Sequence, residues 1–174
     1  MIKLIFLFMA KRFQMEIEAD DYTIAVMGAG TMGRGIAQAA ASAGHPVMLY
    51  DVAEKHTQDA IEYIGQRLED SLQKGKISEN SKVQIINNIK LVHALEKLFQ
   101  AKLIIEVVIE DLKIKQELFC RMESVLESGT ILSTNTSSLD LSKISTTLKR
   151  PERFVGMHFF NPVPVMALVE IIHT

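Results

Sequence analysis

From Tyr22 onward, short runs of β-branched and aliphatic residues alternate with stretches whose apolar positions recur every three or four residues. This is the pattern of strand–helix–strand units rather than of hairpins. The β-rich runs predict strands over Thr23–Met27, Pro46–Tyr50, Ile89–Val92, Leu103–Val107, Thr130–Ser133, Phe154–His158 and Leu168–Ile172. Between them the spacing predicts helices over about Met32–Ala43, closed by Gly44, and Ala53–Lys74, where Ile61, Ile64, Leu68 and Leu72 share a face and Gly75 breaks the run. Further helices are expected over Glu79–Asn88 behind a Ser78 cap, Leu112–Val125 and Leu141–Thr147. The fold class is therefore α/β: a doubly wound, mostly parallel sheet. The helices at 53–74 and 79–88 exceed what a crossover needs, so they are expected to protrude from the sheet as a pair.

The bulk properties narrow this picture. At 174 residues, 48% hydrophobic and 23% charged, the chain has the length and composition of one globular domain. A net charge of -2 gives no reason to expect nucleic acid or an anionic membrane as a partner. The single cysteine, Cys120, excludes an internal disulfide and fits a reducing, cytoplasmic setting; it is read as a packing or surface residue. The opening MIKLIFLFMAKR carries an apolar run, Leu4–Ala10, too short to span a bilayer and followed by no small-residue cleavage pattern. Residues 1–20 are read as a leader and residues 21–174 as the domain.

Residues 28–33 read Gly28-Ala29-Gly30-Thr31-Met32-Gly33, a G-x-G-x-x-G between a predicted strand and a predicted helix. In that setting the first glycine permits the tight turn, the second lets a pyrophosphate approach the backbone, and the third lets helix and strand pack closely. The amides at the helix start then meet the phosphate charge. Asp51 closes the second strand near the offset expected of a ribose-binding acid; its carboxylate suits a ribose diol and repels a 2′-phosphate, so NAD is favoured over NADP.

Two later segments begin at the carboxyl ends of predicted strands, where open α/β sheets bind ligands: Ser133-Thr134-Asn135-Thr136-Ser137-Ser138, and His158-Phe159-Phe160-Asn161-Pro162-Val163-Pro164-Val165-Met166 with Glu170 beyond. GAGTMGRGIA, VVIEDLKIKQELF, STNTSSL and MHFFNPVPVMALVEII, in this order, resemble the 3-hydroxyacyl-CoA dehydrogenase family over roughly residues 22–174. The resemblance implies a Rossmann-type NAD-binding domain, with an acyl-CoA substrate and a smaller helical C-terminal domain that supplies the dimer interface. That helical domain is absent from this chain, and the full-length protein is expected to be a homodimer.

The resemblance further implies that His158 is the catalytic histidine, Glu170 its carboxylate partner and Ser137 a serine near the substrate. It implies cofactor contacts for Asn161, Glu110 and Lys115, the last two beside the nicotinamide ribose. The chemistry is consistent. An imidazole titrates near neutrality and can take the hydroxyl proton as hydride leaves, and a carboxylate on its other nitrogen fixes the tautomer. Plainer readings stand beside these: His158 as a strand-end histidine, Ser137 as a cap of a helix beginning near Leu139, and Glu110 with Lys115 as a solvated helix-start pair. Lys74 and Lys76 read as an exposed helix end, and His45, His56, His93 and His173 show no metal-ligand spacing. The expected reaction is NAD-dependent oxidation of a (3S)-3-hydroxyacyl-CoA, with NAD binding but little turnover by these 174 residues alone. The alternatives are a β-hydroxyacid dehydrogenase and a non-catalytic NAD-binding protein.

Overall fold

The computed structural model describes residues 22–173, so the leader expected at 1–20 lies outside the described residues. Seven strands form one sheet: β1 (Ile24–Met27), β2 (Val47–Tyr50), β3 (Ile89–Val92), β4 (Leu103–Glu106), β5 (Ile131–Thr134), β6 (Phe154–Phe159) and β7 (Val169–His173). Their order is β3-β2-β1-β4-β5-β6-β7. Every pairing is parallel except that of β7 with β6. The strand order reverses between β1 and β4, which opens a crevice at their carboxyl ends.

Among the described residues five α-helices cover the sheet: α1 (Thr31–Ser42), α2 (Glu54–Gln73), α3 (Glu79–Asn87), α4 (Leu112–Val125) and α5 (Leu141–Ser145). The central strands are buried on both faces, which is why they read as continuous apolar runs rather than as alternating ones. Ile24, Val26, Leu103 and Ile105 pack with Ile36, Ile64 and Leu68 of α1 and α2 on one side. Ala25, Met27 and Ile104 pack with Phe119, Met122 and Ile144 of α4 and α5 on the other. There Phe119 meets Phe154 edge-on at 5.1 Å, a contact worth about 0.5–1.5 kcal/mol beyond its buried area. The α2–α3 pair rests on α1 through Ile64, Leu68 and Ile85, whereas no residue between 69 and 84 is buried. That outer half is the expected protrusion.

The predicted elements recur with ends moved by one or two residues. Strand β6 runs one residue further than expected because Phe159 still pairs with Val169. Helix α5 stops at Ser145 rather than Thr147, its last residues continuing as turns. A 3-10 helix at Leu95–Gln100 was not expected; six residues are too few to display a period, and it buries Leu95 and Leu98.

Candidate active site

The first turn of the sheet crevice is made by glycines. Gly28 has φ +108°, a left-handed conformation, and a Cβ there would stand 2.8 Å from the Val107 carbonyl oxygen. At Gly33 a Cβ would fall 1.8 Å from the Gly28 carbonyl oxygen, so helix and turn touch only because no side chain intervenes. A Cβ at Gly30 meets nothing within 4 Å. The demand at that position is therefore room above the backbone rather than internal packing. Gly30 is also the N-cap of α1, which has no side-chain cap and no acid in its first turn, leaving its free amides to an anion. Thr31 and Met32 form the first residues of that helix. Gly33→Ala is expected to lower the urea midpoint and NAD affinity together, with overpacking costing about 1–3 kcal/mol. An unchanged NAD affinity in a titration of this variant would remove the turn from the site.

Asp51 follows β2 with its side chain only 12% exposed. One carboxylate oxygen accepts the Ala29 N–H at 2.8 Å. The other takes the Ala53 N–H at 3.1 Å and a bond from the His56 ring at 3.0 Å. Burial alone would raise this carboxyl, but the two amides and His56 together hold it below the ordinary carboxylate range. Asp51 and the glycine turn line a cleft of about 560 Å³, with Val108, Ile114 and Leu118 forming apolar walls. That size suits a nucleoside-sized group. Val52 and Ile109, 88% and 65% exposed, stand on its rim; large apolar side chains left in water beside a polar anchor mark a binding surface.

The other end of the crevice is built on β6 and β7. His158 and Glu170 are register partners in the antiparallel pair, so their side chains leave the same face opposite one another. The His158 Nδ1 lies 2.9 Å from the Glu170 carboxylate. With the Nδ1–H donating to this carboxylate, Nε2 keeps its lone pair and can accept a proton. The ring also packs on Phe160, with centroids 4.6 Å apart. Beneath it, the Asn135 side-chain oxygen accepts the Phe159 N–H at 2.8 Å, tying β6 to the end of β5.

The segment after β6 returns to the glycine turn. Asn161 precedes a cis peptide bond to Pro162, and Val163 packs at Gly35 of α1, where a Cβ would stand 3.1 Å from the valine. Asn161, Thr31 and Arg34 line one small cleft. The loop that follows His158 thus lies on the same helix start that the glycines present to a ligand.

Between the two ends lies a polar floor that the sequence did not reveal. Glu106, the last residue of β4, is fully buried, and its carboxylate accepts from Lys115 Nζ at 2.6 Å, the Val108 N–H at 2.7 Å and the Thr134 hydroxyl at 2.6 Å. Lys115 is 1% exposed, so the reading of a solvated helix-start pair is overturned: its ammonium sits inside, 3.4 Å from Glu110 as well. The Glu110 carboxylate accepts from the hydroxyls of Thr136 and Ser138. Burial would raise Glu110, yet those hydroxyls and Lys115 hold it below the usual carboxylate range. Ser137, between them, is exposed. It does not cap a helix; α5 begins at Leu141, and its cap is Asp140, whose side chain accepts the Ser142 N–H.

Sequence comparison joins these parts. A family model described as 3-hydroxyacyl-CoA dehydrogenase, NAD binding domain, matches residues 23–174. The chain belongs to the 3-hydroxyacyl-CoA dehydrogenase family. The 3-hydroxyadipyl-CoA dehydrogenase of Escherichia coli K12 is 42% identical over 150 residues, covering 86% of this chain and 32% of the relative. The 3-hydroxybutyryl-CoA dehydrogenase of Clostridioides difficile is 40% identical over 149 residues, covering 86% and 53%. Among solved structures, the (S)-3-hydroxybutyryl-CoA dehydrogenase of Ralstonia eutropha superposes with a TM-score of 0.84 at 35% identity, covering 87% of this chain and 53% of that one. The chain thus spans about a third to a half of these relatives. The 3-hydroxyacyl-CoA dehydrogenase assignment carries NAD as the cofactor and does not favour a β-hydroxyacid dehydrogenase. Among the described residues no helix is long and apolar enough to cross a membrane, and no group of three or more His, Cys, Asp or Glu is placed to hold a metal.

Proposed function

We propose that this chain is the cofactor-binding part of an NAD-dependent dehydrogenase that oxidises (3S)-3-hydroxyacyl-CoA thioesters to 3-oxoacyl-CoA. The observation that carries the reading is the His158–Glu170 pair at 2.9 Å, on the strand whose following loop packs against the start of α1. Gly28–Gly33 and the α1 amides hold the pyrophosphate, Asp51 the adenosine ribose, and Glu110 and Asn161 the nicotinamide half, with Lys115 steadying Glu110 from below. Bound NAD supplies the hydride acceptor. His158 Nε2 takes the proton of the 3-hydroxyl, Glu170 stabilises the imidazolium that results, and Ser137 bonds the substrate oxygen. In the reductive direction His158 returns the proton. The complete enzyme acts as a homodimer in the cytoplasm.

For the 174 residues alone we expect saturable NAD binding and little turnover. The Glu170 side chain is 52% exposed, and Val165 and Leu168, in the segment that joins His158 to it, are 70% and 52% exposed. Hydride transfer favours a site from which water is excluded. Isothermal titration with NAD, followed by an acetoacetyl-CoA reduction assay with NADH, tests both parts. Absence of NAD binding would defeat the reading; fast turnover would defeat the claim that this exposed segment must be covered.

A further inference from the structure

Three protein groups already donate to the Asp51 carboxylate: the amides of Ala29 and Ala53 and the ring of His56. An ionised carboxylate offers about four acceptor sites, and a ribose diol gripped through both hydroxyls takes two of them. Two of the protein donors are backbone amides, fixed by the glycine turn and by the start of α2. The third is a side chain, 59% exposed, and it lines the same cleft as Asp51. His56 is therefore the donor that can yield to a ribose, and it stands beside the position a 2′-substituent would occupy.

We propose that His56 sets the dinucleotide selectivity of this site. Neutral, it yields to the ribose diol of NAD and leaves Asp51 its full charge; protonated, it offsets that charge, offers a donor to a 2′-phosphate and so admits NADP. The inference rests on the cofactor reading above. The surrounding charges leave the decision to this ring. On α2, Lys55 is engaged by Asp59, and Glu54 faces His93, from the loop after β3, at 3.6 Å. Across the cleft α4 contributes Glu117 and Arg121. Asp51 and Glu117 against Arg121 leave the cleft one negative charge in excess, and an imidazolium at His56 removes it. The two amides and His56 hold Asp51 itself below the ordinary carboxylate range, so this carboxylate stays ionised in mild acid.

The test measures dissociation constants of NAD and NADP by titration calorimetry at about pH 8 and about pH 5.5, the range in which an imidazole changes charge. It uses the 174-residue chain, His56→Ala and His56→Arg. The 2′-phosphate gains a proton over the same range, and His56→Ala reports that contribution alone. The ratio Kd(NADP)/Kd(NAD) is expected to fall on acidification about tenfold further in the parent chain than in His56→Ala, the lower end of what a hydrogen bond to a charged group contributes. His56→Arg should show a low ratio at both pH values. Parallel ratios in the parent and His56→Ala, or an unchanged ratio in His56→Arg at the higher pH, overturn the proposal while NAD binding stands. Loss of NAD binding in all three chains overturns the cofactor reading and this proposal with it.

Discussion

Replacing His158 with alanine is expected to lower acetoacetyl-CoA reduction by about 10²–10⁴-fold, the usual worth of a positioned general acid or base. The measurement belongs in whatever length of the protein turns substrate over, with NAD affinity followed in parallel. The ring touches Glu170 and Phe160, whereas the proposed cofactor anchors are Asp51, the glycine turn and the floor around Glu110. NAD affinity should therefore change little. A proton-transfer role places the loss in kcat and kcat/KM alike, because the interaction is realised in the transition state. Glu170→Gln should follow the same pattern with a smaller loss. An amide oxygen can still accept the ring N–H, so the tautomer survives, but the imidazolium loses its counter-charge. If His158→Ala raised KM at constant kcat, the ring would be a binding group and the proton acceptor would have to be sought elsewhere.

The scaffold of this site was legible from local pattern, and its interior was not. Strands buried on both faces advertise themselves as apolar runs, and G-x-G-x-x-G between a strand and a helix carries its own mechanical reason. The His158–Glu170 pair came from a motif; the structure adds the cause, since two residues in direct antiparallel register must share a face. By contrast, Glu106 and Lys115 lie nine positions apart in the sequence; the resemblance marked Lys115 as a cofactor contact, but nothing local marked Glu106 or the burial of the pair, since charges are almost always solvated. Only the parallel stacking of β4 on β1 and β5, with α4 folded back above, seals them from water. His56 was passed over for a related reason: without metal-ligand spacing a histidine carries no local signal. Its meaning depends on the turn that brings α2 back toward Asp51. Asn135, whose side chain bonds the strand after its own, is visible only once β5 and β6 are paired.

Lys115→Met provides the sharpest test of that buried floor. The wild-type ammonium and the Glu106 carboxylate are 1% and 0% exposed at 2.6 Å separation. Removing the cation strands a carboxylate that only Val108 and Thr134 still serve. Breaking one half of such a buried pair costs about 3–5 kcal/mol, enough to unfold a marginal domain, and urea denaturation reads it directly. The double variant Glu106→Leu with Lys115→Met should regain much of the lost stability, because well-packed apolar pairs often replace buried ion pairs at no net cost. Stability and cofactor binding then separate. Glu110 would have lost the ammonium at 3.4 Å that helps hold it ionised and in place, so the double variant should fold yet bind NAD more weakly. A double variant with both stability and NAD affinity restored would make the pair a packing element alone. One that regains stability without affinity identifies why a pair of charges occupies the centre of an otherwise apolar sheet.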